Sequence, residues 1–169
     1  MNFSDKDLVK IYNFYLYKSF AASSPQSIKI QDYGWKATKS CTNGYGAIEN
    51  ALKNKMNIEF HFQKDKKGEK KKSFKQLLLE NNMSDTNFDS KKPNAVFELS
   101  NPKEPPMVCL FRHIRNAIAH GNTYQFENNN ILLEDKYKGK LTARILIKHE
   151  TLIDWIKVID KNNILKEIK

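Results

Sequence analysis

Residues Phe111 to Gly121 read Phe-Arg-His-Ile-Arg-Asn-Ala-Ile-Ala-His-Gly, and this run gathers the side chains best suited to chemistry. Arg112, Arg115, Asn116 and His120 lie within nine positions and end at a glycine of the kind that stops helices. The arginines are informative because they are scarce. Of 29 basic side chains only three are arginines: Arg112, Arg115 and Arg144. Lysine, asparagine and isoleucine dominate instead, as an AT-rich coding background produces. An arginine kept in such a chain points to a need for the guanidinium itself, which is planar, permanently charged and able to grip phosphate through two bonds. A histidine exchanges protons near neutral pH. The combination suits reaction at a phosphate: Arg115 holds developing charge, His120 moves a proton, and Asn116 orients either of them or a phosphate oxygen. Arg112, one turn earlier, is a second phosphate contact.

These side chains need a helix to position them. Pro105 and Pro106 suit a helix start, where the missing donors cost least. The helix then runs to His120 and closes at Gly121, a span of about 24 Å at 1.5 Å per residue. At roughly 100° per residue, Met107, Leu110, Phe111, Ile114, Ala117 and Ile118 share an arc about 120° wide, the core face. Arg112, Arg115, Asn116, Ala119 and His120 fall on the other side with Val108 and Cys109, a face suited to packing against something. Asn116 and His120 share a stripe with Arg112. Arg115 and His120 are five apart, hence about 140° around the helix. One straight helix does not readily aim both at one atom, whereas two helices across a twofold axis do. The spacing predicts a homodimer through the motif helix, with the site in its cleft.

The block resembles the signature of the HEPN superfamily: an arginine, a polar residue, three further residues and a histidine, here Arg115, Asn116, Ala117-Ile118-Ala119 and His120. It looks most like the small HEPN nucleases of plasmid, phage-defence and toxin–antitoxin loci, over about residues 105–160. The resemblance implies a mainly α fold, a HEPN-like helical bundle with a small β-hairpin after the motif helix, and a dimeric, metal-independent endoribonuclease acting as a toxin or anti-phage effector on tRNA or mRNA. Its catalytic residues are then Arg115, Asn116 and His120, with Arg112 and Tyr124 as RNA contacts. The reaction that suits them is transesterification by the ribose 2′-hydroxyl, which makes the substrate RNA rather than DNA. An antitoxin or regulatory protein is an implied partner. In toxins silenced by nucleotidyltransferase antitoxins, a tyrosine two residues after the histidine is modified; here that position is Asn122, and the nearest tyrosine is Tyr124.

Plainer readings stand beside these. His120 can be a helix-terminal histidine serving carbonyls and the dipole, and Arg112 a surface ion pair. His113 reads as a surface or interface residue, His61 and His149 as structural ones, and Tyr124 and Phe126 as strand residues packed on helices. A non-catalytic HEPN module for RNA binding or dimerisation is the main rival function. A basic structural or DNA-binding protein, with the block a coincidence, is the third.

Elsewhere, the spacing predicts a helix over residues 4–22 capped by Ser4, mostly loop over 23–43, and a second helix from Gly46 to Lys55. Ile58, Phe60 and Phe62 alternate as a short strand or continue the helix. Ser73 caps a helix to Asn82, and residues 83–104, poor in pattern apart from Ala95 to Leu99, read as a long connection. Asn130 to Lys136 and Leu141 to Lys148 form a strand pair, followed by a Trp-bearing helix.

With 169 residues and 40% hydrophobic composition, a single domain over 1–169 with a sizeable core is expected. No stretch nears the roughly 18 apolar residues of a membrane helix. Cys41 and Cys109 show neither ligand spacing nor a disulfide framework, so a reducing cytoplasm is expected, with no metal and no cofactor. The net charge of +10 favours a polyanionic partner. Its densest run, Lys64 to Lys72, reads as a mobile surface turn that raises RNA affinity in a salt-dependent way.

Overall fold

The computed structural model describes residues 3–21, 24–36, 45–56, 58–63, 72–99 and 104–167. Cys41 and the lysine run from Lys64 to Lys71 lie outside them. The chain divides into two compact units, Met1–Asn57 with Glu150–Lys169, and Ile58–His149.

The first unit is helical. Helix α1, Asp5–Tyr12, begins where the Ser4 hydroxyl accepts from the Asp7 N–H, and the expected helix continues as a wider π-helical segment, Asn13–Lys18. Helix α2 spans Tyr45–Met56. Helix α5, Thr151–Ile159, contributes the fully buried Trp155 and packs against α1 and α2. The intervening loop is tied to α5 because the Trp35 indole donates to the Ile159 carbonyl at 2.8 Å.

The second unit corrects the expected helical bundle. It holds a five-stranded mixed sheet in the order β1-β2-β5-β4-β3, with β1 Phe60–Phe62, β2 Asn94–Phe97, β3 Thr123–Gln125, β4 Asn130–Tyr137 and β5 Lys140–Lys148. The expected hairpin, β4 with β5, is present, but it forms the middle of this sheet. The strand missing from the sequence reading is β2, which lies inside the stretch taken as a long connection. All four of its residues are buried, so it shows no polar alternation, and four residues are too few for a periodic signal. It pairs antiparallel with β5 and parallel with β1, the short strand at Phe60–Phe62.

Each sheet face has its own cover. Helix α3, Phe74–Glu80, starts from a capping box in which Ser73 and Gln76 bond reciprocally. Its Phe74, Leu77 and Leu78 form a core with Met83, Val96, Leu132 and Leu146. By strand alternation Leu133 and Asp135 point to the opposite face, where helix α4, Pro106–Ala119, lies on β4 and β5. In α4, Met107, Leu110, Phe111, Ile114 and Ala117 are buried as the helical spacing predicts, while Ile118 is half-buried.

Ile145 is fully buried in the middle of β5, between β2 and β4. Ile145→Ala is expected to lower unfolding stability by roughly 2–5 kcal/mol through lost burial and a residual cavity. The exposed Lys148→Ala on the same strand should change it by less than about 0.5 kcal/mol. Urea denaturation followed by circular dichroism checks both, and similar midpoints for the two variants would refute the placement of β5 at the centre.

Candidate active site on the motif helix

The end of α4 is set by its sequence. Gly121 adopts φ +67°, and its N–H bonds to the Ile118 carbonyl at 3.2 Å. The Asn122 N–H reaches the Ala117 carbonyl at 2.9 Å, completing a Schellman closure that glycine makes inexpensive. The Asn122 carbonyl then accepts from the Glu134 N–H at 3.0 Å and joins the helix end to β4. His120 occupies the cap position, exposed to solvent. Two of the carbonyls that a capping histidine could serve are thus taken by backbone donors.

Around the middle of α4 the structure builds a continuous polar chain. His113 is 1% exposed, and Asp135 on β4 is 5% exposed. The His113 Nδ1 lies 2.7 Å from Asp135 Oδ2, and its Nε2 lies 2.9 Å from the Glu98 carbonyl. The Asn116 side-chain amide donates to the same Asp135 Oδ2 at 3.1 Å. Arg115 Nη1 in turn donates to Asn116 Oδ1 at 3.1 Å. Arg115 Nε is buried and has no hydrogen-bond partner among the described residues. His113, expected at the surface or an interface, is instead the inner end of this chain. It is buried because strand β4 presents a carboxylate directly beneath the helix.

Burial by itself lowers the His113 pKa, but the hydrogen bond to Asp135, with the neighbouring Cys109 sulfur and then the Glu98 carbonyl, outweighs it and pushes the value up to about 9. For Asp135 burial acts upward, and the bonds from His113 and Asn116, with the charges of His113 and Arg112, more than reverse it. Imidazolium and carboxylate are therefore both charged at neutral pH.

The other site residues lie in different settings. Arg112 holds Glu104 through two bonds, Nη2 to Oε2 at 2.8 Å and Nε to Oε1 at 3.3 Å, and Nη2 also lies 3.2 Å from the Cys109 sulfur. The Cys109 thiol is buried and donates to the Glu98 carbonyl at 3.2 Å. Tyr124, 46% exposed, pairs with Leu132 in the β3–β4 ladder and so belongs to the sheet face opposite Asp135. The structure thus brings Arg115 and Asn116 together, keeps His120 at the helix end without a hydrogen bond to that pair, and sets Tyr124 on the other face. Sequence reasoning passed over His113 and Asp135. The available signal was an acidic pair, Glu134-Asp135, closing the apolar run Ile131-Leu132-Leu133. The third arginine, Arg144, is structural. It bonds Glu134 at 2.9 Å, Asp85 at 2.7 Å and the Met83 carbonyl at 2.7 Å. Among the described residues no three His, Cys, Asp or Glu side chains gather as a metal-ligand set, and no helix is long and apolar enough to cross a membrane.

The site is thus a helix bearing Arg-Asn-x3-His, closed by glycine and joined to a sheet through a buried ion pair. The family model described as HEPN pEK499 p136 matches residues 15–166, and the chain belongs to this HEPN family. Searches of the curated proteins and of the solved structures returned no match.

The ion pair predicts a pH dependence. Because the folded pKa of His113 lies above the ordinary 6.5, its stabilisation is complete below about pH 6.5 and is lost as pH rises through about 9. That of Asp135 is present above the ordinary carboxylate range and is lost as pH falls through its lowered value. Urea midpoints should therefore decline from pH 6.5 to 9 in the wild type and run flatter in His113→Gln. Asp135→Asn should cost about 3–5 kcal/mol near neutral pH by leaving a buried cation unpaired. An imidazole resonance of His113 titrating near 6.5 by NMR would contradict the pairing.

Proposed function

We propose that this protein is an endoribonuclease that cleaves RNA without a metal ion, by attack of a ribose 2′-hydroxyl on the adjacent phosphate. The products are a 2′,3′-cyclic phosphate and a 5′-hydroxyl. The observation that carries this reading is the state of Arg115. Its guanidinium, on a half-buried residue, is oriented by Asn116, itself held by Asp135. Preorganised in this way, Arg115 stabilises the charge that builds on the phosphorane oxygens. His120, exposed at the helix end, takes the 2′-hydroxyl proton or delivers one to the leaving 5′-oxygen.

Arg115 and His120 sit about 140° apart on one helix. We place the complete site in a homodimer cleft, where two copies of α4 let Arg115 of either chain approach His120 of the other. Two histidines in one cleft also divide the work of base and acid. The biological role in this reading is a toxin or anti-phage effector acting on tRNA or mRNA in the cytoplasm, restrained by an antitoxin or regulatory protein. Arg112 and Tyr124 serve as outer RNA contacts, Arg112 after exchanging Glu104 for phosphate.

One observation favours a second reading, a HEPN module that binds RNA or dimerises without cutting: Glu104 occupies Arg112 through two bonds and blunts one of the motif's two cations.

Purified protein incubated with end-labelled RNA in EDTA separates the two. Cleavage with 2′,3′-cyclic phosphate ends is expected from the wild type, falling by about 10²–10⁴ in His120→Ala and about 10²–10³ in Arg115→Ala. DNA of the same sequence should remain intact. RNA binding by wild type and His120→Ala without cutting by either would reject the enzyme in favour of the module. Analytical ultracentrifugation should show a dimer.

A further inference from the structure

Beyond the motif, the tip of the β4–β5 hairpin projects past the rest of the sheet. The β3 ladder ends on β4 at Leu133, and the β2 ladder ends on β5 at Ala143. The pairs Lys136↔Leu141 and Tyr137↔Lys140 therefore stand outside both flanking ladders as a two-stranded ribbon. A register shift between Asp135 and Lys136 marks where the ribbon departs, and such bulges re-aim the side chains that follow. Tyr137 is 67% exposed, above the other large hydrophobic residues at the surface among the described residues, and it is flanked by the exposed Lys136, Lys138 and Lys140. The Lys138 ammonium lies 5.4 Å from the centre of the Tyr137 ring. Lys136 and Lys140 each meet one carboxylate, Glu134 and Glu98, at 3.2 Å.

The turn itself is informative. Lys138 takes φ +50° and Gly139 φ +77°, the left-handed pair of a tight hairpin in which asparagine or glycine is the inexpensive first residue. A lysine there accepts backbone strain, and strain of that kind points toward function.

We propose that this ribbon is a second nucleic-acid contact, in which Tyr137 stacks on a base of single-stranded RNA while Lys136, Lys138 and Lys140 hold the flanking phosphates. An exposed ring interleaved with cations is what sequence-tolerant binding of single strands requires. The ribbon leaves β4 directly after Asp135, so Tyr137 is two residues, about 7 Å of strand, from the carboxylate that holds Asn116. A strand engaged at the motif can continue onto it. The ligand class rests on the ribonuclease reading above; the ribbon's geometry does not.

The test is fluorescence anisotropy with a labelled single-stranded 2′-O-methyl RNA, which lacks the attacking hydroxyl and is measured as binding alone. Tyr137→Ala should weaken binding about tenfold and Tyr137→Phe less than about twofold. Lys138→Asn removes the cation while suiting the left-handed backbone. It should raise the melting temperature, weaken binding, and reduce the slope of log affinity against log salt by about 0.7. Unchanged affinity in Tyr137→Ala and Lys138→Asn overturns the proposal, as does no wild-type binding at low salt. Binding through Tyr137 by a protein that cuts no RNA removes the nuclease reading and leaves this one standing. Cleavage indifferent to Tyr137, with binding also unchanged, does the reverse.

Discussion

One oxygen atom organises the second unit of this protein. Asp135 Oδ2 accepts from His113 Nδ1 and from the Asn116 amide, tying the middle of α4 to β4. Either partner alone is costly, since a buried carboxylate without its imidazolium, or the reverse, leaves an uncompensated charge. The pair therefore sets the rotation of α4 about its own axis. The buried face of Met107, Leu110, Phe111 and Ile114 already resists rolling, and two hydrogen bonds to a single carboxylate oxygen add a directional lock to it. The direction in which Arg115 and His120 leave the helix follows from that rotation.

The three arginines illustrate why a lysine-rich chain retains the guanidinium. Arg144 answers two carboxylates and a backbone carbonyl at once. Arg112 clasps one carboxylate through two nitrogens, and Arg115 is aligned by its neighbouring amide. An ammonium is a point charge and cannot reproduce these fixed directions. Of the three, Arg115 is the one aligned by an amide on its own helix, which is itself held from the sheet by Asp135.

The chain belongs to the HEPN family and possesses a large sheet. In this chain a five-stranded sheet does the holding on one side of α4. The surface arrangement follows from strand alternation: Asp135 faces α4, while Leu132 and Arg144 face α3 and the segment around Met83. Tyr124, one strand away from Leu132, shares that second face, which separates it from the polar chain on α4.

The sequence by itself determined what depends on neighbours along the chain. The motif helix, its proline start and glycine stop, the Ser4 and Ser73 caps, the β4–β5 pair and the Trp-bearing helix are all read from residues a few positions apart. Local hydrogen bonds and the 3.6-residue period leave clear traces. The tertiary structure alone decided the rest. Strand β2 is four buried residues without alternation, and its existence depends on β1 and β5 lying beside it. His113 looks like a surface histidine until Asp135, 22 positions later, arrives beneath it from another element. Helical spacing shows which residues share a face. It does not show which face meets a carboxylate, because that partner is brought by chain folding over distances no periodicity records.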